Sequence, residues 1–455
     1  MTMASEKTSK TAKKTAAADR AIGQDNFTEI GQVLAGKKTG ALSVRGWLYH
    51  KRSSGGLLFL TMRDRTGLLQ CTLSRKTDPS LFDAVEKLQD ESVLAIDGEA
   101  KADARAPGGY ELAVKRADVI SAAEPDYPIA KKEHGPEFLL DERHLWLRDP
   151  KMQAMLKLRS AVMNIARDWL LKHGYIEFQS PIFMSAACEG GSTLFTVDYF
   201  GKPAYLTQSW QLYAEAAIAS IGKIFTIAPS FRAEKSRTRR HLAEFWHLEV
   251  EEPFQDIDGL MRMEEEFVSH ICQTIAKEHA AELKEFGRDP AELLAVKAPF
   301  KRISYADAIE LLKKDGVDVK YGDDLDWEKE KALTLKHKVP FFVYRYPKGI
   351  KAFYHMPAPD DPKVTLSADL LAPEGYGELI GGGQRTHDYK ALLKRIKDEG
   401  LKESDYDWYL DLRKWGTVPH SGFGMGIERL LMWMLKLEHI RDAIPFPRMM
   451  NRIAP

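Results

Sequence analysis

The sequence predicts an α+β protein in two parts, a small N-terminal β-barrel followed by a larger domain built on an antiparallel sheet flanked by helices. Three observations predict it. Between about Gly40 and Ala122, short alternating runs of polar and apolar residues are interrupted by a single helical stretch. After Pro150, helical periodicity alternates with strands rich in Phe, Tyr and Val. A chain of 455 residues also exceeds what one ordinary core accommodates.

The elements follow in order. Met1 to Arg20 is polar and rich in Lys, Ala, Ser and Thr, with no apolar stretch. Residues 1–27 are therefore expected to be a disordered, solvated basic tail and not a secretory signal. Ala41-Leu-Ser-Val-Arg-Gly-Trp-Leu-Tyr49 reads as a strand, Leu57 to Met62 as a second, and Leu68 to Leu73 as a third after a turn at Arg63 to Gly67. Pro79 to Gln89 reads as a helix with Leu81, Val85 and Leu88 on one face, and Ser92 to Ala100 and Tyr110 to Ile120 as two further strands. Three strands, a helix and two strands is the order of an OB-fold barrel, and other small barrels share it. This domain is placed at residues 28–122. Glu124 to Pro136 carries three prolines and a charge cluster, so residues 123–149 read as a linker.

The second domain, residues 150–455, begins with an amphipathic helix from Pro150 to His173 that presents Met155, Leu158, Val162, Ile165 and Leu170. Strands are expected at Val339 to Tyr346, Val364 to Leu371 and Tyr376 to Gly381. Lys plus Arg balance Asp plus Glu at 66 each. That balance argues against a uniformly basic nucleic-acid coat, although a patch can be basic on a neutral chain. No apolar run is long enough to span a bilayer, so no membrane partner is expected. The three cysteines are far apart and lack metal-ligand spacing, which fits a reducing cytoplasm and argues against zinc or a disulfide framework.

Three separated segments carry the chemistry. Gly174-Tyr-Ile-Glu-Phe-Gln-Ser-Pro181 joins a long helix to a strand that stops at proline. Phe231-Arg-Ala-Glu234 is followed by a loop with Lys235, Arg237, Arg239 and Arg240, and then by His241-Leu-Ala-Glu-Phe-Trp-His-Leu-Glu-Val-Glu251. Two strands joined by that loop would place cations beside a sheet. Arg232 suits a phosphate or carboxylate, and Phe245 offers a flat face to a base. Gly422-Phe-Gly-Met-Gly-Ile-Glu-Arg429 allows close backbone approach before an apolar helix.

In order and content these segments resemble motifs 1, 2 and 3 of the class II aminoacyl-tRNA synthetases. The barrel resembles the anticodon-binding OB-fold of the subclass for aspartate, asparagine and lysine. The resemblance implies ATP and magnesium as cofactors, tRNA as partner, and roles at the matching positions. Arg232 would contact the ATP α-phosphate and the amino-acid carboxylate, and Glu234 the adenine amino group. His241 and Arg429 would hold the outer phosphates, Phe245 and Arg429 would sandwich the adenine, and Leu242 and Gly426 would complete the nucleotide site. Asp369 and Glu378 would hold the magnesium ion. Arg52, Phe59 and Gln70 would read the anticodon. Adenylation needs cations and alignment more than a protein nucleophile, so the chemistry agrees.

Within that family the nearest resemblance is to the archaeal and eukaryotic enzymes for asparagine and aspartate. They share a loop like Glu189-Gly-Gly191 and a stretch like Thr207-Gln-Ser-Trp-Gln-Leu-Tyr213, in which Glu189, Ser209 and Gln211 would surround the α-ammonium. Aspartate enzymes carry Lys directly after that stretch, where this chain has Ala214, and Asp where it has Glu249. An amide substrate wants a donor for its oxygen and an acceptor for its NH₂, roles suited to Arg385 and Glu249. The implied substrates are L-asparagine and tRNA(Asn). Alternatives are an aspartyl enzyme charging two tRNAs, an asparagine synthetase on the same catalytic domain, and a non-catalytic RNA-binding relative. A homodimer is expected, with Leu158, Val162 and Trp169 as an apolar helix face seeking cover.

Overall fold

The computed structural model describes residues 27–129, 132–188, 193–235 and 238–455. The expected tail, apart from Phe27, lies outside the described residues, as do Glu189 and Arg237. Contacts divide the chain into two compact units, with the division between Leu145 and Trp146.

In the first unit, β1 (Gly40–Ser54), β2 (Leu57–Arg63), β3 (Leu68–Ser74), β4 (Val93–Ala102) and β5 (Tyr110–Ser121) close into a barrel in the order β1-β2-β3-β5-β4. β1 is long because its first half pairs with β4 and its second half with β2, with an irregularity between Leu48 and His50 where it turns the corner. Alternation sorts the faces. Leu58, Leu60 and Met62 are buried inside with Leu69, Cys71 and Leu73, while Phe59, Thr61 and Gln70 point outward. The helix α1 (Pro79–Glu86) starts on Asp78, whose carboxylate accepts from the Leu81 N–H at 2.8 Å. It buries Phe82 and Val85, and Leu81 and Leu88 pack at the edge of that core. The expected stripe is thus rotated by one residue toward Phe82.

The second unit is organised by an eight-stranded sheet. Its strands are β6 (Ile176–Glu177), β10 (Ile224–Phe231), β11 (Glu244–Pro253), β12 (Lys301–Ser304), β13 (Phe341–Tyr344), β14 (Ser367–Ala372), β15 (Gly377–Gln384) and β16 (His420–Gly426), in the order β12-β13-β14-β15-β16-β11-β10-β6. The interior pairings are antiparallel as expected, but both edges, β12 on β13 and β6 on β10, are parallel. A parallel pair needs a crossover, and at least one helix lies between the two strands of each. A separate sheet pairs β7 (Phe183–Met184), β9 (Lys202–Leu206) and β8 (Thr196–Tyr199).

Helices α2 (Pro150–Lys172) and α4 (Ile257–Glu278) cover one face of the large sheet, and α3 (Gln211–Ile221) lies between β9 and β10 in sequence. Asp149 caps α2 through the Lys151 N–H, with Pro150 at its first position. Leu158, Val162 and Trp169 do not form a free face. They are buried in their own unit's core with Phe267, Val268 and Leu248. Ile165 is only half-buried. The sheet supplies the cover that the sequence reading assigned to a second subunit.

Candidate active site

The segment from Arg232 to Ala243 connects β10 and β11, which pair without a break from Ile224 opposite Glu251 to Phe231 opposite Glu244. On β11 the period of two decides everything that follows. Leu248 and Val250 point into the core under α2 and α4. Phe245, His247, Glu249 and Glu251 alternate with them and line the open face of the sheet. The neighbouring β16 brings Gly422 opposite Glu251 and Gly424 opposite Glu249. A Cβ at Gly422 would collide with the Glu251 carboxylate, and one at Gly424 with the His247 ring. The glycine alternation thus makes room for the side chains of the adjacent strand.

A cleft of about 800 Å³ opens over this face. At one end, Glu249 accepts from the Ser209 hydroxyl at 2.5 Å and the Trp210 N–H at 2.9 Å. Burial pushes the Glu249 carboxyl up, but His247 at 3.4 Å and these donors outweigh it and hold the group below the usual carboxylate range. Glu249 is not paired with Arg385. The Arg385 guanidinium donates instead to Glu251, through Nε at 3.0 Å and Nη2 at 2.9 Å, and all three side chains line the cleft. Burial raises the Glu251 carboxyl, and Arg385 opposes the shift without cancelling it. Trp210 is packed in the wall, its indole N–H on the Phe178 carbonyl at 2.8 Å.

Gln211, also at the cleft, donates to Glu215 at 3.0 Å. Glu215 is almost wholly buried and collects Arg413, the Tyr409 hydroxyl at 2.7 Å and His420 Nε2 at 2.9 Å. Burial alone would raise its carboxyl, but Arg413 and His420 hold it far below the ordinary range. Glu215, Glu251 and His420 are close enough together to suggest a metal site. Glu215 already takes four donors, and Arg385 holds both oxygens of Glu251, so this is an ion-pair network.

At the other end, a second recess is lined by Arg232, His241, Leu242, Phe245, Glu378, Gly426 and Arg429. Arg232 lies 5.8 Å from the Phe245 ring and 3.9 Å from Glu234, and His241 Nε2 is 3.5 Å from Glu234. Burial and the nearby Arg429 lower the His241 pKa, which favours the neutral ring. Arg429 donates to Glu378 at 2.8 Å, and Lys351 donates to both oxygens of Asp369 at 2.7 and 2.6 Å. A Cβ on Gly381 would stand 2.8 Å from Glu378 Oε1 and 3.7 Å from Asp369 Oδ1, so the two carboxylates converge over one glycine. Burial opposes ionisation of Glu378, but Arg429, Lys351 and Arg240 bring its pKa down to about 2. Asp369 is raised by burial, against Lys351 and with Glu378. Of the loop cations, Lys235 and Arg239 are exposed. Arg240 is buried against Glu330.

Sequence reasoning missed His247, Glu251, Lys351, Glu330 and the hub at Glu215. Period two would have placed His247 and Glu251 beside Phe245 and Glu249. No local signal marks the others.

On the barrel, Arg52 sits opposite Phe59 across the β1–β2 pair with its guanidinium 4.3 Å from the ring. Gln70 sits opposite Thr61 and donates to Glu111 at 3.0 Å. The three expected residues share the outer face, and Phe59 is not a core residue.

Comparison with known proteins adds independent findings. A family model described as tRNA synthetases class II (D, K and N) matches residues 135–450, and one described as OB-fold nucleic acid binding domain matches residues 42–120. The chain is similar to the asparagine–tRNA ligase of Desulforamulus reducens, 46% identical over 91% of this chain and 96% of that protein. It is 48% identical to that of Thermococcus gammatolerans over 94% and 98% respectively. Its structure is similar to that of asparaginyl-tRNA synthetase from Pyrococcus horikoshii complexed with asparaginyl-adenylate. That match has a TM-score of 0.91 and 46% identity, covering 95% of this chain and 100% of that one.

Proposed function

We infer the reaction of this chain from its family: it belongs to the class II tRNA synthetases of the aspartate, lysine and asparagine group. It activates L-asparagine with ATP and transfers it to tRNA(Asn). The observation that carries the reading is the position of Arg232, which lines both the recess holding Glu249 and Arg385 and the recess holding Phe245 and Arg429.

The residues then have distinct tasks. An asparagine carboxylate oxygen attacks the α-phosphorus of ATP, pyrophosphate leaves, and asparaginyl-adenylate remains. Arg232 faces both reactants where charge accumulates, so its contribution is made in the transition state. Glu249 accepts from the amide NH₂; with both oxygens already in hydrogen bonds it retains further lone pairs. Arg385, held by Glu251, donates to the amide oxygen. Ser209, Gln211 and Glu189 take the α-ammonium, Glu189 lying outside the described residues. Phe245 and Arg429 stack the adenine beside Leu242 and Gly426, Glu234 reads its amino group, and His241 meets the outer phosphates. A terminal ribose hydroxyl of the tRNA then attacks the adenylate carbonyl and AMP leaves.

Asp369 and Glu378 fit a magnesium ion: Glu378 presents Oε1 beside Asp369 Oδ1 over Gly381 while Arg429 holds its Oε2, and Lys351 leaves Asp369 further lone pairs. When bound there, the ion would neutralise phosphate charge. Arg52, Phe59 and Gln70 form the anticodon-reading face of a domain spanning 28–122, joined by a linker at 123–149 to a catalytic domain at 150–455. The protein acts in the cytoplasm as a homodimer. Support for the dimer comes from exposed apolar residues of the small sheet and its β8–β9 turn, with Phe183 at 50%, Tyr199 at 47% and Phe200 at 92% exposure. Sedimentation as a stable monomer would remove that part of the reading.

ATP–pyrophosphate exchange with asparagine and aspartate in parallel tests the whole. Asparagine-dependent exchange is expected. Equal use of aspartate would replace it with an aspartyl enzyme of dual specificity.

A further inference from the structure

Helix α5 (Trp327–Thr334) carries none of the motifs, yet its buried carboxylate reaches the nucleotide end of the cleft. Glu330 Oε2 accepts from Arg240 Nη1 at 2.5 Å and from the backbone N–H of Glu378 at 2.9 Å. Arg240 Nη2 donates in turn to the Glu378 carbonyl at 2.5 Å, and its guanidinium lies 5.0 Å from the Trp327 ring. Both backbone groups of Glu378 are therefore gripped, one by Glu330 and one by Arg240. The side chain of Glu378 then receives Arg429 at 2.8 Å. Gly377, at φ +71°, belongs to the same device. A Cβ there would strike the Glu330 carboxylate and stand 2.8 Å from Arg240 Nη1.

A buried ion pair is a poor source of stability compared with apolar packing, so stability alone does not account for this arrangement. Its geometric product is a fixed direction for Glu378 and Arg429. We propose that Glu330 is a positioning residue for the nucleotide: through Arg240 and the Glu378 backbone it aims Glu378 and Arg429 at the ATP polyphosphate. The proposal rests on the reading that Glu378 and Arg429 meet ATP. The asparagine end has its own network around Glu215, Glu249 and Glu251 and does not depend on this clamp.

The test uses the full chain with Glu330→Ala, Glu330→Gln and Trp327→Leu. Pyrophosphate exchange gives KM and kcat for ATP and asparagine separately, and calorimetry with magnesium and ATP gives binding without turnover. Residues supporting a first layer of ligands typically contribute 10- to 100-fold, so Glu330→Ala should lower kcat/KM for ATP by about 10- to 100-fold. It should weaken ATP binding in the same sense and leave the KM for asparagine within about twofold. The Gln variant, whose amide oxygen still accepts both N–H groups, should recover most of the loss. Unchanged ATP parameters, or equal losses toward both substrates, would overturn the proposal. If Glu330→Ala does not fold, Trp327→Leu decides. It removes the aromatic face under Arg240 without stranding a charge, and should weaken ATP use about threefold with asparagine unaffected; a folded variant with wild-type ATP kinetics would overturn the proposal. Absence of asparagine-dependent exchange in the wild type would defeat the underlying reading. The calorimetric comparison would then still decide the role of Glu330.

Discussion

The two ends of the cleft differ in how far their charged side chains are exposed. At the asparagine end, Glu215, Glu249, Glu251, Arg385, Arg413 and His420 are all buried and bonded to one another or to neighbouring backbone and hydroxyl groups. At the nucleotide end the Arg240–Glu330 pair is buried behind the recess, but the side chains of Arg232, Glu234 and His241 keep 30, 27 and 32% of their surface exposed. On the proposed assignment of asparagine and ATP to the two ends, the difference follows from the ligands. Asparagine and aspartate are nearly isosteric, so only donors and acceptors fixed in advance, away from water, can separate them. A polyphosphate brings its own charge and asks mainly for cations that can close on it.

The largest test of this contrast is Arg232→Ala. A half-exposed arginine contributes little to folding, so the protein should melt near the wild-type temperature while adenylation falls by about 10³-fold or more. Wild-type exchange activity in that variant would break the assignment. Glu215→Ala is the opposite case. Removing one partner of a buried network strands the others, so unfolding by denaturant should show a loss of about 3–5 kcal/mol. A loss under about 1 kcal/mol would mean that the asparagine end is not pre-stiffened.

Glu249→Gln should fold, because its partners are a hydroxyl, an N–H and a histidine. The amide removes the repulsion against aspartate, and the asparagine-over-aspartate ratio of kcat/KM should fall by about 10²-fold. An unchanged ratio would move the discrimination elsewhere. Phe59→Ala, on the barrel, should touch neither end. Stacking is worth about 1–3 kcal/mol per base, so tRNA charging should weaken by that amount while pyrophosphate exchange stays intact. If both fall together, the residue is structural.

The smallest expected effect is a pH dependence. Glu249 is held below its ordinary pKa of 4.5 in the fold, so it stays charged at every pH above that value and loses its charge only as pH falls through the lowered value. The ratio for asparagine over aspartate should therefore be flat from pH 8 down to about pH 5. A decline between pH 8 and 6 would show that another group sets the selectivity.

Much of this was legible in the chain. The barrel strands were readable because their apolar alternation is unbroken, as in Leu58, Leu60 and Met62. The motif segments placed Arg232, Phe245 and Arg429 at one site because the family resemblance carries spacing and order together. Tyr409, Arg413 and His420 lie outside the three motif segments. Their common purpose, closing around Glu215 from about 200 residues away, has no local trace.

Sequence alone determined which residues share a face, since a period of two or 3.6 follows from the backbone. It thereby settled that Glu249 points the same way as Phe245. Which partner each charge meets was decided only by tertiary structure. Arg385 pairs with Glu251 and not Glu249 because Gly422 lies between Gly383 on β15 and Glu251 on β11, a register that carries Arg385 past Glu249. Likewise the face of α2 carrying Leu158 and Val162 is apolar in either case. The sheet, and not a second subunit, covers it because α4 and β11 reach it first within the same chain. Periodicity describes one element at a time, and the choice of partner depends on the register and packing of several.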